Sequence, residues 1–362
     1  MNTPILQFGT SRFLQAHADL FVSEALDHGH AIGPITVVQT SGDPGRATRV
    51  GALAAQNGFP VIVRGMEGTT PVEREVRVRS VRRALSTATD WQEVRRVFVE
   101  EAEVVLSNTG DRGYALADQD GLEGVPRSFP MKLLALLQAR YQGGGRALTI
   151  LPCELISRNG EVLQALIMRL AAEHGPDAGF QTWLSSDVVW ANSLVDRIVS
   201  EPIEPAGAIA EPYALWAIEQ QPCLVVPCTH PAIRVVPDLT PYEKLKLHIL
   251  NLGHTLLAER WLKDGRHVEE TVREILEDGA ISAYLSGIYE SEVIPGFESH
   301  GLGDEAQAYV ETTLARFRNP YLKHRLSDIA GNHAEKIQRR FVGFMDWCPG
   351  IATPELKRIA TG

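Results

Sequence analysis

The chain predicts an α/β protein with a doubly wound N-terminal domain over residues 1–200 and a mainly helical domain over residues 201–362. Three observations carry this. The first half alternates short apolar runs with helical patterns, as a βαβ series does when it buries a parallel sheet on both faces. Beyond about residue 190 the strand signal thins and long helical patterns replace it. The 362 residues, 44% of them hydrophobic, suffice for more than one core.

In order, Ile5–Phe8 reads as a first strand, residues 13–26 as a helix, Ile35–Gln39 as a second strand, and residues 104–106 as a later strand ending in Ser107-Asn108-Thr109. Residues 147–151 form the next buried strand. Pro152-Cys153-Glu154 follows it, at the carboxyl edge where such a sheet presents residues to a ligand. Residues 161–173 read as a helix. In the second half the helical patterns cover residues 245–262, 268–278, 305–317 and 333–344. Residues 223–236 are the exception, because Leu-Val-Val and Ile-Arg-Val-Val look like strands. Residues 202–212, bounded by prolines, are the expected connection near the domain junction. The first-half pattern is that of a Rossmann-type nucleotide-binding domain.

Thirty-five basic residues face 45 acidic ones, a net charge of −10, so no broad basic footprint exists for a nucleic acid. No apolar run approaches the roughly 20 residues of a membrane helix, and residues 1–7 have neither a basic n-region nor a long apolar stretch. The expectation is a cytoplasmic protein, monomer or homodimer, with neither nucleic acid nor membrane as partner. Four irregularly spaced cysteines read as reduced thiols. Cys223, Cys228 and His230 lie close together, but prolines at 222, 227 and 231 mark a turning segment and no fourth ligand is apparent, so no metal is expected.

Gln7-Phe8-Gly9-Thr10-Ser11-Arg12-Phe13 follows a strand and opens a helix, where backbone N–H groups meet a dinucleotide's pyrophosphate. One glycine of the G-x-G-x-x-G pattern is present, with Ser11 at the second glycine position and Gln15 beside the third. An ordinary strand-to-helix turn is the alternative. The second strand ends Gln39-Thr40-Ser41 without the carboxylate that commonly binds a ribose 2′-OH. Asp43 and Arg46 stand nearby, so NAD is expected with NADP left open.

The most informative stretch runs from Pro241 to Leu257. At about 100° per residue its leucines and isoleucine cover nearly the whole circumference, which predicts a buried helix carrying Lys246, His254 and Asn251 within an arc of about 140°. A desolvated lysine exchanges protons near neutral pH, an asparagine amide donates to an alkoxide or carbonyl oxygen, and a histidine holds a neighbouring hydroxyl. The trio suits metal-free hydride transfer. The alternative is a snorkelling Lys246 with Asn251 and His254 bonded to the backbone. Three further clusters set polar groups in apolar surroundings: Glu154 with Asn159-Gly160, Asp196-Arg197, and the run from Arg316 to His324. The last, broken at Pro320, suits an anionic sugar acid; an ion pair and a solvated basic face are the bland readings of the last two.

Together these segments resemble the polyol-specific long-chain dehydrogenases, the mannitol dehydrogenase family, and within it the tagaturonate reductase (altronate oxidoreductase) branch. The matching stretches are Gln7-Phe-Gly-Thr-Ser-Arg-Phe-Leu, Leu106-Ser-Asn-Thr, Ser128-Phe-Pro-Met-Lys, Leu151-Pro-Cys-Glu-Leu-Ile with Asn159-Gly160, Leu194-Val-Asp-Arg-Ile-Val, Lys246 to His254, and Arg316 to His324. They run in the family's order across nearly the whole chain, and Pro-Cys-Glu-Leu-Ile points to the tagaturonate branch.

The resemblance implies NAD(P)-dependent interconversion of a secondary alcohol and a ketone on a sugar acid or polyol without zinc. It makes Lys246 the general acid/base, Asn251 the group that polarises the reacting oxygen, and His254 a substrate holder. Gly9, Ser11, Phe13 and Thr40 would lie along the cofactor, with Asn108 and Asp196 towards its nicotinamide end. Glu154, Asn159, Arg316, Asn319 and His324 would bind substrate. Ser11 stands where the family has glycine, Gln15 where it has arginine, and the C-terminus is shorter than in a typical tagaturonate reductase. The rival expectations are a polyol dehydrogenase of the mannitol or arabinitol type and a non-catalytic nucleotide sensor on the same scaffold.

Overall fold

A computed structural model describes residues 2–43, 45, 47–67, 70–110 and 113–361. In chain order the strands are β1 (Ile5–Phe8), β2 (Ile35–Gln39), β3 (Phe59–Glu67), β4 (Thr70–Val78), β5 (Val81–Ser86), β6 (Val104–Ser107), β7 (Leu148–Pro152), β8 (Val188–Trp190), β9 (Ser193–Asp196), β10 (Val199–Pro202), β11 (Ala208–Ala210), β12 (Leu215–Glu219) and β13 (Ile233–Val236). Six of them form one sheet in the order β5-β2-β1-β6-β7-β8, parallel throughout. Renumbered within the sheet, this is the 3-2-1-4-5-6 order of a dinucleotide-binding fold, with its switch point between β1 and β6.

Side-chain alternation along the central strands explains why they read as unbroken apolar runs. In β1, Leu6 and Phe8 enter one core with the helices Trp91–Glu100, Phe129–Gln142 and Asn159–His174, while Ile5 enters the opposite core with the helix Ala18–Asp27. Both faces are buried, as helix-covered parallel sheets require.

Two smaller sheets complete the first unit, in the orders β10-β11-β3-β4 and β13-β12-β9. They move the division of the chain. Compact unit 1 comprises Met1–Val63, Arg74–Ala210 and Ala214–Leu239; unit 2 comprises Arg64–Glu73, Glu211–Tyr213 and Thr240–Gly362. The break after residue 200 expected from the sequence is therefore displaced to Leu239. The reason is pairing: β11 joins β3 at Ala208–Val61, and β12 joins β9 at Leu215–Asp196. Residues 202–212, where a connection was expected, carry β11 and the last residue of β10.

Five expected elements differ in detail. The helix at 13–26 is two pieces, Arg12–Gln15 and Ala18–Asp27. Its interruption is satisfied from outside, because Arg197 Nη1 donates to the Ala16 carbonyl at 2.6 Å and His17 Nε2 meets the Leu215 carbonyl at 3.2 Å. At 223–236 only Ile233–Val236 is a strand; Cys223 takes a positive φ of 61° that turns the chain. At 268–278 the helix shrinks to Val272–Ile275, capped by Thr271, which also bridges to Arg325. The long helices at 245–262 and 333–344 each contain a π-helical turn, Lys246–Asn251 and Gln338–Val342, and a third interrupts the chain at Tyr289–Val293.

Unit 2 is helical around its own core, in which Ile249, Leu252, Leu285, Tyr289, Phe297, Phe341, Phe344 and Leu356 are fully buried. Among the described residues no helix is long and apolar enough to cross a membrane.

Candidate active site

At the switch point of the six-stranded sheet, three loops after β1, β2 and β6 line a cleft of about 380 Å³. They contribute Gly9, Thr10 and Ser11; Gln39, Thr40 and Ser41; and Asn108, Thr109 and Gly110, joined by Arg49. Four of the residues expected along a cofactor, Gly9, Ser11, Thr40 and Asn108, thus meet in one place. Gly9 has φ +123°, and a Cβ there would stand 2.5 Å from the Asn108 carbonyl oxygen. Only glycine lets the first loop pass that close to the third. Ser11 Oγ accepts from the Leu14 N–H and donates to Asn108 Oδ1 at 3.2 Å, while Asn108 Nδ2 donates to the Cys153 carbonyl at 2.8 Å. The serine that replaces a glycine is therefore a cap and a brace.

Gln15 ties the same loop down, accepting from the Gly207 N–H at 2.7 Å and donating to the Thr10 carbonyl at 3.2 Å. Among the described residues no carboxylate lines the cleft. Its lining cation, Arg49, escaped the sequence reading, although the search for a cation after β2 that selected Arg46 could have reached it. Arg46 lies outside the described residues, and Asp43 serves the turn, its Oδ1 accepting from the Gly45 N–H. Phe13 and Asp196 are not in this lining. Phe13 stacks on His17 at 4.7 Å, and Asp196 is 3% exposed at the end of β9.

Glu154 and Asn159, expected to bind substrate, have their polar atoms engaged within the fold. Glu154 accepts from Ser107 Oγ, Thr109 N, Thr109 Oγ1 and Tyr114 OH. The carboxylate pins the loop after β6, and with burial it raises the Tyr114 phenol far above its ordinary pKa. Asn159, fully buried, donates Nδ2 to the carbonyls of Pro152, Glu154 and Ser193 and accepts from the Ser193 N–H. Both residues shape the loops that hold the cleft.

In unit 2, Lys246 and Asn251 open and close the first π-helical turn. Both are half-buried, whereas residues 248–250 and 252–258 are buried, so the helix expected to be buried throughout is buried from its second turn onward. A turn closed by i→i+5 bonds, such as that from the Leu252 N–H to the Leu247 carbonyl, winds less per residue than an α-helix. It draws Lys246, Asn251 and His254 into a narrower arc than the roughly 140° of regular geometry.

His254 is 6% exposed, its ring lies 4.4 Å from Phe317 and 4.7 Å edge-on from His324, and its Nε2 has no hydrogen-bond partner. Burial, then the neighbouring cations Arg340, Arg316 and Lys336, hold it well below the usual histidine pKa. His324 is pushed down to about 4, chiefly by burial. Both imidazoles are neutral at pH 7.

Arg316, 6% exposed, is paired with the buried Glu211 at 2.7 Å and lies over the Tyr213 ring at 4.2 Å. Asn319 accepts from the Tyr321 N–H at 3.1 Å and its Nδ2 meets the Arg64 carbonyl at 3.4 Å. Both residues, expected to bind substrate, are buried, and the fold gives each a protein partner. No group of three His, Cys, Asp or Glu among the described residues could hold a metal ion. At the cysteine-rich turn His230 Nε2 meets Glu24 at 2.9 Å and its Nδ1 accepts from the Ala232 N–H.

Two family models match the chain: the mannitol dehydrogenase Rossmann domain over residues 3–227 and the mannitol dehydrogenase C-terminal domain over residues 238–352. Among curated proteins it is similar to an altronate oxidoreductase of Bacillus subtilis, 30% identical over 361 residues covering 93% of this chain and 73% of the relative. One from Klebsiella pneumoniae is 32% identical over 364 residues, covering 93% and 74%. Among solved structures, a substrate-free D-sorbitol dehydrogenase superposes with a TM-score of 0.79 at 20% identity, covering 95% of this chain and 76% of that one. Pseudomonas fluorescens mannitol 2-dehydrogenase, in a ternary complex with NAD and D-mannitol, gives 0.74 at 19% identity, covering 100% and 84%.

Proposed function

Because the chain belongs to the mannitol dehydrogenase family, we propose that it is an NAD-dependent oxidoreductase that interconverts altronate and tagaturonate, or a closely related sugar-acid pair, with Lys246 as the general acid/base. The observation that carries the chemistry is the buried, neutral His254 with its unpartnered Nε2, on the same helical segment as Lys246 and Asn251. A buried polar atom without a partner is costly unless a ligand meets it.

The unit 1 cleft fits a dinucleotide. Gly9 lets the first loop lie against the Asn108 carbonyl where a Cβ would collide, and the described lining residues are polar without a carboxylate. When bound, NAD accepts the hydride in oxidation and returns it in reduction. The chain's own residues do the rest. Lys246 Nζ takes the hydroxyl proton as the alcohol is oxidised and returns it in the reverse direction. Asn251 donates its amide hydrogens to the oxygen as charge develops there. His254 Nε2 fixes a neighbouring substrate hydroxyl. The cations whose field lowers His254, namely Arg340, Arg316 and Lys336, favour a substrate carboxylate over a neutral end.

A neutral polyol is the second reading, favoured by the pairing of Arg316 with Glu211, which compensates one of those cations. Absorbance of reduced nicotinamide with NAD or NADP against altronate, mannitol and related compounds separates the two. Turnover of the acid and not the polyol supports the first reading; the reverse establishes the second. Lys246→Ala is expected to lower kcat by about 10²–10⁴-fold with cofactor affinity unchanged, and wild-type turnover in that variant would remove Lys246 from the reaction.

A further inference from the structure

The π-helical turn that carries Lys246 and Asn251 is gripped by side chains from the other two π-helical turns of unit 2. From Tyr289–Val293, the buried Tyr289 hydroxyl donates to the Ile249 carbonyl at 2.8 Å. From Gln338–Val342, Arg340 Nη1 donates to the Asn251 carbonyl at 3.0 Å and to Thr255 Oγ1 at 2.7 Å; Thr255 Oγ1 in turn donates to that carbonyl at 3.0 Å. The contact is reciprocal, because His248 Nδ1 pairs with the Arg340 carbonyl at 3.2 Å.

A turn widened from four residues to five shifts the helical ladder by one, and its carbonyls then need bonds from outside the ladder. Here those bonds come from a buried phenol and a half-buried guanidinium. Gly253 completes the device, since a Cβ there would overlap the Tyr289 hydroxyl and crowd Phe317. Its hydrogen leaves the space through which Tyr289 reaches the helix backbone.

We propose that Tyr289 and Arg340 are positioning residues for the reaction: together they hold the wide turn open and keep Lys246 and Asn251 in one narrow arc with His254. The inference rests on the functional reading above. Neither side chain needs to touch substrate. If either grip is released, the turn relaxes towards α-helical winding and Asn251 rotates away from Lys246. Binding surfaces elsewhere stay intact, so the loss falls on kcat and not on KM. Burial pushes Arg340 down to about 10, which leaves it charged throughout the working range.

The test uses the full-length protein and the sugar acid or polyol that the substrate panel identifies. Tyr289→Phe removes one oxygen and Arg340→Lys keeps the charge but loses the guanidinium geometry. Each is expected to lower kcat by on the order of tenfold, with the KM of both substrates within about twofold and faster hydrogen exchange at the amides of residues 250–252. Gly253→Ala is expected to lower kcat similarly. Gly253→Ala combined with Tyr289→Phe is expected to be no worse than Tyr289→Phe alone, because both changes break the same grip.

Additive losses in the double variant, or unchanged kcat and exchange in both single variants, would overturn the proposal. If Tyr289→Phe fails to fold, Arg340→Lys and the exchange measurement decide alone. Lys246→Ala assayed alongside separates this inference from the functional reading. Full activity there removes Lys246 from the mechanism, whereas a dead Lys246→Ala beside fully active Tyr289→Phe and Arg340→Lys rejects only the positioning role.

Discussion

The loops around the unit 1 cleft and the unit 2 helix that carries His254 treat buried polar side chains in opposite ways. In unit 1, Glu154, Asn159, Asn108 and Gln15 are bonded to backbone or neighbouring side chains, and the cleft they surround is lined largely by backbone and short polar residues. In unit 2, His254 is buried with Nε2 unpartnered, and the groups that are fully bonded, Tyr289 and Arg340, hold the backbone of the helix that carries it. A site that grips a long polar ligand needs a fixed shape; a site that holds a substrate hydroxyl needs a side chain with an unfilled hydrogen bond. A buried polar residue therefore announces a functional site only when its hydrogen bonds are incomplete.

The largest expected effect that probes this contrast is on stability. Asn159→Ala strips partners from four buried backbone groups and is expected to destabilise the protein by about 2–4 kcal/mol in chemical denaturation. If Asn159 served substrate instead, KM would rise with the unfolding midpoint unchanged, and the contrast would break. Next comes Gly9→Ala, which forces an unfavourable φ and a collision with Asn108. Its expected result is an NAD affinity weaker by about tenfold or more, read by fluorescence titration, with the unit 2 helices unaffected in hydrogen exchange.

The smallest effect sharpens the comparison through pH. Asp19, in unit 1, is fully buried, and burial lifts its pKa to about 8. Between the unfolded value near 3.8 and 8 the native state holds a proton that the unfolded chain releases. The stability tied to this group is therefore present below pH 4 and lost as pH rises towards 8. His248 and His324 are held down at about 4 by burial. They contribute in the opposite sense, with stability present above pH 6.5 and lost as pH falls towards 4. Asp19→Asn is expected to flatten the alkaline limb of a melting-temperature profile by a few degrees and leave the acid limb in place. An unchanged alkaline limb would mean that Asp19 is ionised in the native protein.

Much of this was legible in the sequence. Strands β1, β2, β6 and β7 stood out because a parallel strand covered on both faces is a continuous apolar run, and the loops following three of them located the cleft. The lysine, asparagine and histidine on one helix were visible from spacing alone. Strands β3 to β5 went unread although Glu75-Val76-Arg77-Val78-Arg79 alternates strictly, the pattern of a half-exposed strand. The unit boundary fell some forty residues early because β11 and β12, which pair back to β3 and β9, also went unread. The π-helical turns were beyond reach, since a one-residue shift in a hydrogen-bond ladder leaves apolar periodicity almost untouched. Glu154 and Asn159 were found as polar residues in apolar settings, but sequence does not reveal which backbone groups absorb them.

The hairpin formed by β3 and β4 begins and ends in unit 1, while its distal segment, Arg64–Glu73, belongs to unit 2, as does the short stretch Glu211–Tyr213. The chain therefore passes from one unit to the other five times, not once. Recombination with a relative at a single joint near residue 240 would pair a foreign helical unit with a hairpin tip and tripeptide selected for another partner. A working chimera has to exchange three segments together, so the two units are expected to diversify as a linked pair, not as interchangeable modules.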